Sequence, residues 1–187
     1  MIIDHYHDAD MGREERLHIL DREFGIRGEA IYLLDVIALI EMAWAHTRPG
    51  PPEYRLIYEY ALRRVAEIDN ETEGTYTMNP SQVNAFVQRY LNGRHPSGHL
   101  RRIRELAAPL MFNQSDTATN ARQRQRLLDY CLDVGAASVG HYPYEAHERF
   151  GPEKKMLFRE IAYSLNLLDH ATSPDAGDSR PRSGAYA

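Results

Sequence analysis

A mainly α-helical fold is what this sequence predicts, on three observations. Apolar residues recur at helical spacing through most of the chain. Gly and Pro fall between these periodic stretches and punctuate them. Only Thr75-Tyr76-Thr77-Met78 reads as a strand. The expectation is about six or seven helices with at most a small β hairpin.

Residues 1–12 read as irregular or extended. The first helix should run from Arg13 to Phe24, with Leu17, Leu20 and Phe24 on one stripe and Ile19 beside it. Gly25 follows, where a left-handed residue ends a helix cheaply. Gly28 opens a second helix, from Glu29 to His46. Ile31, Leu34, Ala38 and Met42 line one side of it, and Leu33, Val36, Ile37 and Ile40 widen that face. So broad an apolar face suits the most buried helix of the fold. Pro49-Gly50-Pro51-Pro52 stops it.

A third helix is expected from Glu53 to Ile68, followed by the polar turn Asp69 to Gly74. Asn79-Pro80 starts the fourth, with a capping side chain and a proline at the first helical position. It should reach Leu91, before the breaker Asn92-Gly93-Arg94-His95-Pro96. Ser97 is placed to cap a fifth helix, Gly98 to Ala108. Residues 113–119 form a polar loop, and a sixth helix covers Asn120 to Val134. After a turn-rich stretch from Gly135 to Gly151, Pro152 opens a seventh that reaches Leu168. From Thr172 onward Pro, Gly, Ser, Asp and Arg dominate, the composition of a disordered tail. The expected organisation is a helical domain over 1–112, a helical extension packed on it over 113–171, and a tail over 172–187.

Composition narrows the function. A net charge of −5 argues against a protein basic over its whole surface. Cys131 is the only cysteine, so neither an internal disulfide nor a cysteine-rich zinc site can form. Its apolar setting, Leu127-Leu128-Asp129-Tyr130-Cys131-Leu132, suits a small core residue. The first fifteen residues are rich in His and Asp and do not read as a secretory signal, and Asp35 and Glu41 interrupt the longest apolar run, Ala30 to Ala45. A cytoplasmic protein with no membrane span is expected.

One stretch carries a family likeness. Asp8-Ala9-Asp10 leads to Arg16-Leu17 and Leu20, then to Phe24-Gly25, Gly28 and Ile31-Tyr32, with His7-Asp8 in front. Over residues 4–50 this pattern resembles the N-terminal winged-helix domain of phage and prophage replication-initiation (replisome-organiser-like) proteins. The resemblance implies a winged-helix-like N-terminal half and a DNA-binding or replication-associated role in a phage or mobile element. The family's aromatic, wing-like segment is replaced here by the proline-rich Thr47 to Tyr54.

Charge is segregated along the chain. From Gly74 to Arg104 there is no acid, while Arg89, Arg94, Arg101, Arg102 and Arg104 fall in that window. A second acid-free run, Thr117 to Leu128, holds Arg122, Arg124 and Arg126. Local field decides where a phosphate backbone can sit, and the planar guanidinium fork suits phosphate and guanine alike. Arg101 and Arg104, three residues apart, should share a helix face. These eight arginines are the candidate nucleic-acid-binding residues; pairing with acids elsewhere on the surface is the alternative.

Two further clusters stand out. His5, His7, Asp8 and Asp10 are weak metal candidates, because His-x-His on an extended strand aims both imidazoles to one side. Tyr142 and Tyr144 are candidate interface residues, since tyrosine brings large contact area at low entropy cost. There is no Gly-rich phosphate loop and no nucleophile elbow, so no cofactor is expected. The leading expectation is a non-enzymatic DNA-binding or replication-associated accessory protein. The alternatives are a helical protein-interaction subunit and a metal-dependent enzyme using the N-terminal cluster.

Overall fold

The computed structural model describes residues 11–45, 48–75, 78–93, 95–96, 98–112, 117–137 and 151–167. Within them run seven α-helices: α1 Arg13–Phe24, α2 Val36–Ala43, α3 Pro51–Glu71, α4 Pro80–Asn92, α5 His99–Ala107, α6 Thr117–Ala137 and α7 Pro152–Ser164. Two 3-10 helices, Gly28–Leu33 and Ala108–Leu110, join them, and no strand occurs among the described residues. Tyr76 and Thr77, at the centre of the expected strand, lie outside the described residues, as does Ser97.

Several boundaries follow from local chemistry. Gly25 ends α1 at φ +64°, and its N–H donates to the Asp21 carbonyl while the Ile26 N–H donates to Leu20. These two hydrogen bonds satisfy two carbonyls that the helix would otherwise leave bare. Asn79 Oδ1 accepts from the Gln82 amide at 3.0 Å and Gln82 Oε1 accepts from the Asn79 amide at 2.9 Å, a reciprocal cap for α4. At α3 the Glu53 carboxylate reaches back to the Gly50 N–H, and Pro51 and Pro52 need no hydrogen bond in the first turn.

The second expected helix is corrected. Instead of one α-helix from Glu29 to His46, the chain winds as a 3-10 helix over Gly28–Leu33, turns at Leu34 and Asp35, and only then becomes α2. The tighter winding changes the phase of the apolar pattern. Leu33 and Leu34 enter the core, while Ile31 and Tyr32 line a surface cleft. Every residue of α2 is buried, as its breadth of apolar character predicts.

Helix α2 is the axis of the fold. Helices α3, α4, α5, α6 and α7 all pack against it, and α1 packs on α5. One core joins them, from Leu20 and Phe24 through Ile57, Val87 and Ile103 to Leu127, Cys131, Val134 and Ile161. Helices α6 and α7 thus share the core of the earlier helices. No described helix is long and apolar enough to cross a membrane.

Candidate functional site

The structure spends most of the candidate arginines internally. Arg89 Nη2 donates to the Phe24 carbonyl at 2.8 Å and Nη1 to Gly25 at 3.3 Å, closing the C-terminal end of α1 where a cation is favoured. Arg101 pairs with Glu160 at 2.8 Å, and Arg102 is half-buried and engaged. Arg126 pairs with Glu67. The Arg124 guanidinium lies 4.6 Å above the Phe112 ring, a cation–π contact. Arg122 is exposed beside Arg63 and Tyr130.

Arg104 corrects the expectation of a shared exposed face. Leu100, Ile103, Leu106 and Ala107 form the buried face of α5, and Arg104 falls on it, 1 % exposed. Its Nε donates to Glu41 Oε2 at 2.7 Å, Nη2 to Glu160 Oε1 at 2.6 Å, and Nη1 to the Ser164 hydroxyl. Burial works against its charge, but the hydrogen bonds and charges of Glu41 and Glu160 outweigh that and hold its pKa above the usual arginine value. Arg104 therefore ties α2, α5 and α7 together.

Arg94, Tyr142, Tyr144, His5, His7, Asp8 and Asp10 lie outside the described residues. Among the described residues no group of three or more His, Cys, Asp or Glu could hold a metal ion. Cys131 is fully buried, and burial raises its thiol pKa, so it has the inert character of a core residue.

A further group of charged side chains gathers elsewhere. A cleft of about 770 Å³ opens between the start of α1, the first 3-10 helix, α3, the second 3-10 helix and α6. Arg13, Arg16 and Arg64 line it, with Tyr32 and Gln123. Ile31, Leu34, Leu110 and Phe112 supply apolar wall. Arg13 sits exposed in the first turn of α1, where the helix dipole disfavours a cation, so its charge does nothing for the helix.

Asp35 forms the floor, 2 % exposed. Its Oδ2 accepts from the Tyr60 hydroxyl at 2.8 Å and the Gln123 amide at 3.3 Å, and lies 3.5 Å from Arg64 Nε. Oδ1 has no hydrogen-bond partner. Burial pushes the carboxyl pKa up, against the opposing pull of Arg64, Tyr60, Gln123 and the Val36 backbone N–H. The same burial and the adjacent Asp35 charge push the Tyr60 hydroxyl well up.

Buried polar side-chain atoms without a hydrogen bond are few in native proteins, and each needs a reason. Among the described residues they are Asp35 Oδ1, Trp44 Nε1, Arg64 Nε, Asp69 Oδ1 and Arg124 Nε. Asp35 and Arg64 line the cleft, and Arg124 stacks on its wall residue Phe112. A second hollow of about 650 Å³ beside Glu41, Trp44, His95, His99 and Arg101 has less to offer, because Glu41 and Arg101 are already held in ion pairs.

Sequence reasoning assigned Asp35, Arg13, Arg16 and Arg64 to no site: Arg16 entered only as part of the family motif, and Asp35 only as an interruption of the apolar run. One signal was available: an acid inside the most apolar segment must be paired or functional when buried. Asp35 and Glu41 are the two acids that interrupt it, one beneath the cleft and one on Arg104. In comparisons with known proteins, no family model, curated protein or solved structure matches this chain.

Proposed function

We propose that the protein is a non-enzymatic nucleic-acid-binding accessory protein whose contact surface is the arginine-lined cleft and the adjoining α6. The observation that carries this reading is the gathering of three guanidinium groups, Arg13, Arg16 and Arg64, along one cleft. Arg122 and Arg124 on α6 extend the positive surface. Arg89, Arg101 and Arg104 are bound into the fold and contribute stability. A phosphate backbone needs guanidinium groups that reach solvent, and Arg13 beside the cleft and Arg122 on α6 are both exposed. The replication-associated role and the winged-helix-like N-terminal half rest on the resemblance over residues 4–50.

The test is anisotropy of labelled duplex and single-stranded oligonucleotides at low and moderate salt. The wild type is compared with Arg13→Ala/Arg122→Ala and with Arg101→Ala. Binding should weaken steeply with salt through counterion release, and the cleft-side double variant should lower the salt slope by roughly one to two. Arg101→Ala should leave it unchanged. No binding at low salt, or equal loss in both variants, overturns the reading.

A second reading has its own observation. On α7, Met156 is 69 % and Tyr163 86 % exposed, seven residues apart and therefore on one side of the helix. Large exposed apolar groups at that spacing suit a protein partner. Mass that rises with concentration at high salt and falls in Met156→Ser/Tyr163→Ser would favour it.

A further inference from the structure

We infer that the outer face of α7 is a homodimer contact, in which Met156 packs on Tyr163 of an antiparallel second copy and Arg159 pairs with that copy's Glu160; this rests on the second reading above and names the partner as another copy of this chain. Three observations carry it. Met156, Arg159, Glu160 and Tyr163 share one stripe of α7, about 100° wide at 3.6 residues per turn. Met156 and Tyr163 are the two most exposed large apolar side chains among the described residues. The order of the stripe, apolar, basic, acidic, apolar, is complementary to its own reverse.

A two-fold axis makes the same patch meet itself, so residues equally far from the axis on either side face one another. An axis between Arg159 and Glu160 sets Arg159 against the partner's Glu160. The same axis sets Met156 against the partner's Tyr163, each three residues further out. One register thus matches apolar to apolar and charge to opposite charge, and each contact occurs twice. A parallel pair would instead set Arg159 on the partner's Arg159, which like-charge repulsion opposes.

The charges are available for it. Arg159 is exposed, no acid stands three or four residues from it on α7, and no ion pair engages it among the described residues. Glu160 is partly exposed and takes one hydrogen bond on each oxygen, from Arg101 and Arg104. A carboxylate has about four acceptor sites, so a further donor can be held. Glu41 and Glu160 balance Arg104 and Arg101, and the incoming guanidinium meets no net positive charge. The helix is 13 residues long, far short of the about 20–30 residues a side of a standard interface, so the dimer is weak and forms at high concentration.

Sedimentation equilibrium of the whole protein should show a mass that rises with concentration from 21.5 kDa towards twice that value. Tyr163→Ser and Arg159→Glu, both at exposed positions, should each weaken the dimer at least about tenfold with the circular dichroism spectrum unchanged. The register is read by oxidative cross-linking. A mixture of Met156→Cys and Tyr163→Cys proteins should form a disulfide-linked dimer, because those positions face each other. Either variant alone should not, since identical positions lie roughly 10 Å apart along the helix, beyond the about 7 Å a disulfide spans. Cys131 is buried and does not compete. Equal cross-linking in either variant alone overturns the register. Mass fixed at 21.5 kDa at every concentration overturns the second copy and leaves α7 to a different protein. Self-association that Met156→Ser/Tyr163→Ser leaves unchanged overturns this proposal and the second reading together.

Discussion

Arg104→Met asks what the buried arginine is worth. Methionine keeps an unbranched apolar stem of similar reach, so the packing between Leu100 and Ile103 is largely retained and the lost charge dominates. The substitution strands Glu41, whose side chain is 10 % exposed, without its nearest cation. Removing one partner of a buried ion pair costs about 3–5 kcal/mol, because the other charge stays desolvated. The arm to Glu160 adds less, since that side chain is 39 % exposed and screened by water. For a chain of this size 1 kcal/mol moves Tm by about 2–4 °C, so the expected fall is roughly 6–20 °C. Urea unfolding followed by circular dichroism should show a lower midpoint at an unchanged slope. Glu160→Ala should cost about 1 kcal/mol or less. In Arg104→Met/Glu41→Leu both charges are gone, and much of the loss should be recovered. A single variant within about 1 kcal/mol of the wild type, or a double variant no better than the single, would refute this account of Arg104 as the clamp of the helical core.

Other perturbations follow from the same geometry. Gly25→Ala should destabilise by about 1–2 kcal/mol in chemical denaturation, because φ is +64° and the new Cβ would stand 2.7 Å from Arg89 Nη2. Asp35→Asn should raise Tm at pH 7: the folded carboxyl pKa is raised above 3.8, so the ionised form costs stability as pH climbs through the raised value. That advantage should vanish in scans below about pH 3.8, where both folded and unfolded carboxyls are protonated. His99 is held below 6.5 by burial, by the stacked His95 ring 4.9 Å away and by Arg89. The unfolded chain therefore takes the proton first, and stability contributed at this position is complete above pH 6.5 and lost as pH falls through the lower folded value. Thermal scans from pH 8 to pH 5 should show a smaller acid-side loss in His99→Gln than in the wild type.

What the sequence made legible is local. The ends of α1 and the starts of α4 and α7 were readable because Gly25, Asn79-Pro80 and Pro152 act on their own backbone within a turn. The break at Leu34 and Asp35 was hidden, because apolar residues on every side of a buried segment leave periodicity no face to choose. The arginines show the same limit. Arg104 lies among Leu100, Ile103 and Leu106 at helical spacing, which hints at burial, but its partners stand 63 and 56 residues away. Asp35 is joined to Gln123 across 88 residues. Acid-free windows in the sequence proved to be short of acids only along the chain; in space Glu41, Glu67 and Glu160 come to meet them.

The clamp on Arg104 has a consequence for how the protein is made. Glu160 is added to the growing chain 56 residues after Arg104. At about 5–20 residues per second on a ribosome, that gap is roughly 3–11 s. Throughout it α2 lacks one of the helices that cover it, and Ile161, Ala162 and Leu165 have yet to join the core. Until α7 is made, apolar residues of α2 that it covers still face water, and this part of the core closes only when α7 arrives. Speed of synthesis between these two residues therefore sets how long that apolar surface stays uncovered.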